Sequence, residues 1–368
     1  MDLGVFIPIA NNGWIRSTNS PQYLPTFDLN REVTQRAEKY GFEFALAMVK
    51  LRGSGGVTKH WDYNLEPFTL ISALAAVTSR IQVFATVPTL VVPPAIAARM
   101  ATTIDSVSKG RFGINLITGW QPAEYSQMGL WPGDEHFKNR YDFVEEYTII
   151  LKELLETGVS NFKGQFFQMD DCRMLPLPSR RIPLMSAGSS DRGMEFASKY
   201  CDYNFCGLEV GPNLIDAARA DVARLRAANT KMGKTIKIYA LLGIIADETD
   251  AAAQAKKDHY DAGADLDAIE TMRQQAAADK FAATNSLAAR AQKRAATAVT
   301  ADGKKSTGGS GRLVGSYETI ARTLDELAET GLDGVMLTFD DFIIGIEQFG
   351  QRIQPLMKSR SSMLAAAE

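Results

Sequence analysis

The sequence is poor in the residues and spacings that usually announce a metal or nucleophile site. Its 368 residues include three histidines, His60, His136 and His259, far apart in the chain, and three cysteines, Cys172, Cys201 and Cys206. No HExxH or His/Cys cluster occurs, so no metal site is expected. An odd set of cysteines without a CxxC pair fits a reducing compartment and buried structural thiols. There is no GxGxxG turn, no Walker A loop and no GxSxG elbow, which removes the usual signatures of nicotinamide binding, P-loop chemistry and α/β-hydrolases. No apolar run approaches the ~20 residues needed to cross a bilayer. The start, Met1-Asp2-Leu3-Gly4, lacks the basic and long apolar parts of a signal peptide. A cytoplasmic protein away from membranes is the default. Lys and Arg number 40 against 43 Asp and Glu, a net charge of −3. That balance gives no general basic face for nucleic acid.

What is present is a 45% hydrophobic sequence, ample for one large core. Short apolar runs rich in β-branched and aromatic residues alternate with helical patterns. Strands are expected at Gly4–Ala10, Phe42–Met48, Ile81–Leu90, Phe112–Thr118, Pro183–Ala187, Tyr203–Cys206, Ile236–Ile245 and Gly334–Phe339. Helices are expected between them, among them Leu29–Tyr40, Pro93–Val107, Asp142–Leu155, Ser190–Lys199 and Tyr317–Ala328. Eightfold alternation means parallel strands joined by right-handed crossovers. A single α/β domain over 1–368, a (β/α)8 TIM barrel with insertions, is the leading solution, and an open doubly wound sheet is second. Phe162-Lys163-Gly164-Gln165-Phe166-Phe167 reads as a small hairpin. The Ala-, Lys- and Gly-rich segment 274–311 reads as a mobile insertion, either a plain surface excursion or a lid near the barrel mouth.

Chemistry in such a barrel sits at the C-terminal ends of the strands. There the chain would gather Asn11-Asn12-Gly13-Trp14, Met48-Val49-Lys50, Thr86, then Asn115, Thr118 and Trp120, and finally Asp340-Asp341. The last pair could imitate paired carboxylates, but adjacent residues at a strand end point apart, which favours helix N-capping. No nucleophile–base pair is apparent. Neutral donors among apolar walls suit a cofactor that brings its own reactivity. Ala187-Gly188-Ser189-Ser190-Asp191 leads from a strand into a helix, and is either a phosphate cradle or an ordinary cap. Arg140-Tyr141 could add a cation and a hydroxyl.

These residues bring out a resemblance. GVFIPIANNGW, GRFGINLITGW, LVGSYETIARTLDEL and FGQRIQPLM resemble the bacterial-luciferase-like flavin monooxygenases. MVKLRGSGG, WDYNLEPFTL and TGWQPAEYSQMGLWPGDEHFKNRYDF are similar to the pyrimidine-opening branch that serves uracil degradation. The likeness covers nearly the whole chain, with segment 274–311 departing in composition. It implies a luciferase-like TIM barrel that holds FMN through Val49, Lys50, Asn115, Glu124, Arg140, Tyr141 and Ser190. Thr86 and Asn115 would form the oxygen pocket as catalytic residues, with Leu46, Met48 and Trp120 in the pocket wall. The implied reaction uses reduced FMN and O2 to open uracil or thymine at the N3–C4 amide, giving a ureidoacrylate or its peracid through a peroxide at flavin N5. Reduced flavin would come from a separate NADH-dependent reductase. A homo-oligomer is compatible with the resemblance. Other expectations stay open: a different cyclic amide or a sulfone or sulfonate as substrate, a flavin-binding protein without activity, or an unrelated barrel lyase or isomerase that uses Ser189-Ser190 for a substrate phosphate.

Overall fold

The computed structural model describes residues 1–283 except 209, the positions 289, 292, 296, 298, 299, 303 and 305–307, and residues 311–361. Its strands are β1 (Asp2–Phe6), β2 (Phe44–Ala47), β3 (Gln82–Pro88), β4 (Phe112–Ile117), β5 (Val159–Ser160), β6 (Cys172–Arg173), β7 (Leu184–Ser186), β8 (Tyr203–Gly207), β9 (Lys237–Asp247), β10 (Arg312–Ser316) and β11 (Gly334–Phe339). Eight of them form a ring in the order β1-β2-β3-β4-β7-β8-β9-β11, and β11 pairs back onto β1. Every pairing in the ring is parallel, so the closed barrel expected from the alternation is present and the open sheet is not.

The helices are α1 (Phe27–Lys39), α2 (Pro67–Ala76), α3 (Pro94–Ser108), α4 (Pro122–Ser126), α5 (Glu135–Thr157), α6 (Asp191–Tyr200), α7 (Leu214–Lys231), α8 (Asp250–Ala262), α9 (Leu266–Ala277), α10 (Tyr317–Ala328) and α11 (Phe342–Gln348). Their starts follow local chemistry. Pro67, Pro94 and Pro122 open three helices, where a missing N–H costs nothing. Thr26, Ser190, Thr249, Asp265, Ser316 and Asp341 accept hydrogen bonds from the first turns of the helices they precede. No helix among the described residues is long and apolar enough to cross a membrane.

Inside the ring, side chains of alternate residues form layers. Phe44 stacks on Tyr239 with centroids 5.1 Å apart, and Phe84 meets Phe44 and Tyr203 edge-on at 5.9 and 5.7 Å. A Cβ on Gly4 would lie 2.1 Å from the Phe44 ring, so the glycine makes room for it. This aromatic plug fills the N-terminal half and leaves the C-terminal half for a site.

Several boundaries differ from the sequence reading. The first strand ends at Phe6 rather than Ala10: its ladder to β2 stops at the Phe6–Leu46 pair, and Ile9 beyond it accepts from the Leu65 N–H of a loop. Helix α5 begins at Glu135, seven residues before the expected Asp142, so Arg140 and Tyr141 lie inside it rather than at its start. The expected hairpin is real and wider: Gly164 and Met169 bond to Phe167 and Phe162, and β5 and β6 close its base. Strand β10 was not expected. Gly243 of β9 is paired with both Arg312 and Thr338, so β10 takes the edge of β9 that β8 leaves free after Leu241. Of segment 274–311, residues 274–277 complete α9 and Asp279 is buried. Positions 284–288, 290, 291, 293–295, 297, 300–302, 304 and 308–310 lie outside the described residues.

Candidate active site

The C-terminal mouth holds a cavity of ≈ 280 Å³. Its walls are largely apolar and aromatic: Phe6, Trp14, Met48, Val49, Trp61, Ile117, Trp120, Phe205 and Leu241, with Ile269 and Met272 of α9 as a roof. Trp14 packs against Phe6 and Trp61 with centroids 4.8 and 6.1 Å away. Thr86, Asn115, Lys50, Gln121 and Glu124 supply the polar lining, with Arg16 at the edge.

Asn115 and Thr86 face each other across the β3–β4 register. Thr86 Oγ1 donates to the Ala47 carbonyl at 2.7 Å, and Asn115 Nδ2 donates to Thr86 Oγ1 at 2.9 Å. With the Thr86 proton committed, the amide nitrogen must face Thr86, which settles its orientation. Asn115 Oδ1 is then buried without a partner among the described residues. An unsatisfied buried acceptor costs about 1–3 kcal/mol, which a ligand N–H can return. Thr86 therefore offers the cavity a lone pair rather than its proton.

On another wall Lys50 Nζ donates to both Glu124 Oε1 and Gln121 Oε1. All three residues are buried. Burial pulls the Lys50 ammonium below its ordinary range, against the opposing charge of Glu124. Glu124 Oε2 also accepts from the Leu51 N–H, at 3.4 Å. The turn that carries this wall needs Gly119, at φ +67°, where a Cβ would press on the Tyr125 hydroxyl at 2.9 Å. His136 Nε2 fastens the same turn, lying 2.7 Å from the Thr118 carbonyl and 3.0 Å from that of Gly119. Two carbonyl partners require the proton on Nε2.

A smaller recess of ≈ 80 Å³ lies alongside, lined by Arg140, Tyr141, Ser186, Gly188, Ser189, Ser190 and Asp279. Ile117, Trp120 and Ala187 line both spaces, so one ligand can reach from one into the other. The recess sits at the start of α6, whose Ser190 accepts from the Gly193 N–H at 3.2 Å. A Cβ on Gly188 would lie 2.6 Å from the Gly193 backbone, so the glycine lets the loop close tightly on the helix. The recess thus gathers hydroxyls, the start of a helix and the Arg140 guanidinium, whose charge is balanced by a carboxylate in the same lining. Arg140 Nη1 donates to Asp279 Oδ2 at 2.6 Å, and both side chains are buried.

The structure thus brings Met48, Val49, Lys50, Thr86, Asn115, Trp120 and Glu124 to one cavity, and Arg140, Tyr141 and Ser190 to its neighbour. Leu46, expected in the wall, lies beneath it. It is fully buried one layer down β2 from Met48, because only every second residue faces inward and the mouth begins at Met48. Asn11 and Asn12 do not enter the cavity either; their amides hold the loop at Thr58 and Lys59. Asp341 caps α11 and Asp340 accepts from the Tyr260 hydroxyl, so the two carboxylates do not act as a pair. Among the described residues no group of three or more His, Cys, Asp or Glu is placed to hold a metal. Sequence reasoning missed Gln121, Trp61, Met272 and Asp279. Gln121 was within reach as the neighbour of Trp120. Met272 and Asp279 gave no signal, since α9 was not expected at all.

The sequence profile of the luciferase-like monooxygenases matches residues 1–334. The pyrimidine monooxygenase RutA of Agrobacterium fabrum is 55% identical over 100% of this chain and 99% of its own length. RutA of Stutzerimonas stutzeri is likewise 55% identical, over 100% and 99% of the two chains. Among solved structures, riboflavin lyase RcaE with modified FMN and riboflavin superposes with a TM-score of 0.78 at 21% identity, covering 98% of this chain and 92% of that one. EDTA monooxygenase of Chelativorans sp. BNC1 gives 0.77 at 19% identity, covering 98% and 94%. At these identities the two structures share the fold.

Proposed function

The chain belongs to the luciferase-like monooxygenase family, and from that premise we propose that it is an FMN-dependent pyrimidine monooxygenase. The observation that carries the reading is the pair of joined spaces. A largely apolar cavity, with Thr86, Asn115 and Gln121 and a buried Lys50–Glu124 pair in its lining, adjoins through Ile117, Trp120 and Ala187 a recess that contains Arg140 and the start of α6. That arrangement fits a flat ring system with a phosphate at one end. Arg140, Tyr141, Ser190 and the α6 N-terminus would hold the phosphate. Val49, Lys50, Asn115 and Glu124 would hold the ring, and the orphaned Asn115 Oδ1 fits a ring N–H.

Bound in its reduced form, FMN would supply the electrons that activate O2 for opening uracil or thymine at the N3–C4 amide, to give a ureidoacrylate or its peracid. The chain's own residues do the rest. Phe6, Trp14, Trp61, Ile269 and Met272 would limit water around a bound ring. Asn115, its amide nitrogen locked on Thr86, would present its oxygen as a fixed acceptor for a ring N–H. Lys50, desolvated and paired with Glu124, keeps a polarising charge in the same dry space. Reduced flavin would be delivered by a separate NADH-dependent reductase, in keeping with the lack of a dinucleotide fingerprint.

The test is mass spectrometry of products from uracil, chemically reduced FMN and ¹⁸O2. Ring-opened product carrying label from O2 is expected. Unconsumed uracil, with FMN bound, would overturn the substrate assignment.

A further inference from the structure

Gln121 stands at the N-cap of α4, yet its side chain makes no cap hydrogen bond. It turns instead into the cavity, where the residue is buried. Lys50 Nζ, which can only donate, is bonded to Oε1, so the end of the amide that carries the two N–H groups is fixed. Those N–H groups have only long contacts, 3.4 Å to Met272 Sδ and 3.4 Å to Gln275 Oε1. A thioether at that distance is a weak partner. The cavity therefore contains an oriented, desolvated donor whose partners are a thioether and one long amide contact, both on α9.

Resting on the pyrimidine reading above, we propose that Gln121 is a specificity-determining residue whose amide N–H receives a carbonyl oxygen of the substrate ring. A cyclic amide or imide supplies such an oxygen in the ring plane, where a planar carboxamide can meet it. A ring without the carbonyl would leave the buried donor with only its contacts to Met272 and Gln275, a loss of the kind by which polar sites discriminate against analogues. The Lys50–Glu124 pair acts behind Gln121 as its clamp: the ammonium holds the oxygen and aims the nitrogen.

Two substitutions separate reading from propping. Gln121→Glu keeps an oxygen for Lys50 and removes the N–H, while Gln121→Met removes both. Equilibrium dialysis of uracil against the chain loaded with oxidised FMN at pH 8 reports binding without turnover. Both variants are expected to bind uracil at least ten-fold more weakly, with FMN affinity within two-fold of the parent chain. Gln121→Glu that binds uracil as the parent does would overturn the proposal, leaving Gln121 as a support for Lys50. Parallel loss of FMN and uracil in both variants would overturn it too. A parent chain that binds FMN but not uracil overturns the pyrimidine reading itself, a result distinct from unchanged variants on a uracil-binding parent.

Discussion

Asn115 and His60 are both buried polar side chains with unpartnered atoms, and their surroundings give them opposite meanings. The orphaned oxygen of Asn115 belongs to a residue that lines the cavity, beside a hydrogen bond that fixes its direction. Asn115→Ala is expected to lower the rate of substrate oxidation at least ~100-fold, about 2.7 kcal/mol, the usual loss of one preorganised polar group. FMN affinity should fall only modestly, which fluorescence titration checks. His60 does not line the cavity. It is sealed against Trp61 at 4.8 Å, and neither ring nitrogen has a partner among the described residues. Burial, then the charges of Arg16, Lys50 and Arg312, hold it neutral well below 6.5. Below that pH the unfolded chain takes up a proton that the folded chain refuses. Stability should therefore fall as pH drops from about 6.5, by up to ~1.4 kcal/mol per unit, until the folded-state pKa is reached. His60→Phe keeps the ring against Trp61 and should flatten this acid limb by one proton's worth, read from urea midpoints at pH 5 and 7.5.

The elements around the mouth are coupled through α9. Its N-cap Asp265 accepts from the Thr58 N–H at 2.8 Å and hydroxyl at 2.7 Å, tying the roof to the loop after β2. Just past its C-terminus, Asp279 takes the Arg140 guanidinium. Removing one partner of a buried pair leaves an uncompensated charge that costs about 3–5 kcal/mol. Asp279→Asn should lower the melting temperature of the flavin-free chain, and FMN should restore more of it than in the parent. Riboflavin, which lacks the phosphate, should show no such extra gain in a thermal-shift series. Equal gains for the two ligands would detach Arg140 from the phosphate. The barrel strands and Asn115 were legible in the sequence because period-two burial and an amide in an apolar run leave a local trace. Strand β10, Met272 and Asp279 left none. β10 is a strand only because β8 stops at Gly207 and exposes an edge of β9, and Asp279 reaches Arg140 across 139 residues. Leu46 was misplaced by a single layer, a distance that composition does not encode.

At the scale of the whole molecule, the ring is a rigid frame whose chemistry depends on what is brought to it. With NADH and FMN alone the purified chain should show no steady turnover. Adding a separate flavin reductase should start it, and sustained NADH oxidation without that addition would place the reductase function in this chain. The way β10 joins the sheet has a consequence for how the protein can diverge. The connection that follows α9 leaves from Asp279, fastened at Arg140, and returns at Arg312, laddered onto Gly243. Both anchors belong to the frame. Changing the length of a connection between two fixed anchors alters closure entropy only logarithmically, about 0.6 kcal/mol for each doubling. Insertions and deletions there are thermodynamically cheap, while the ladders on either side hold their register. Evolution can therefore lengthen or shorten this connection without renegotiating the stability of the barrel.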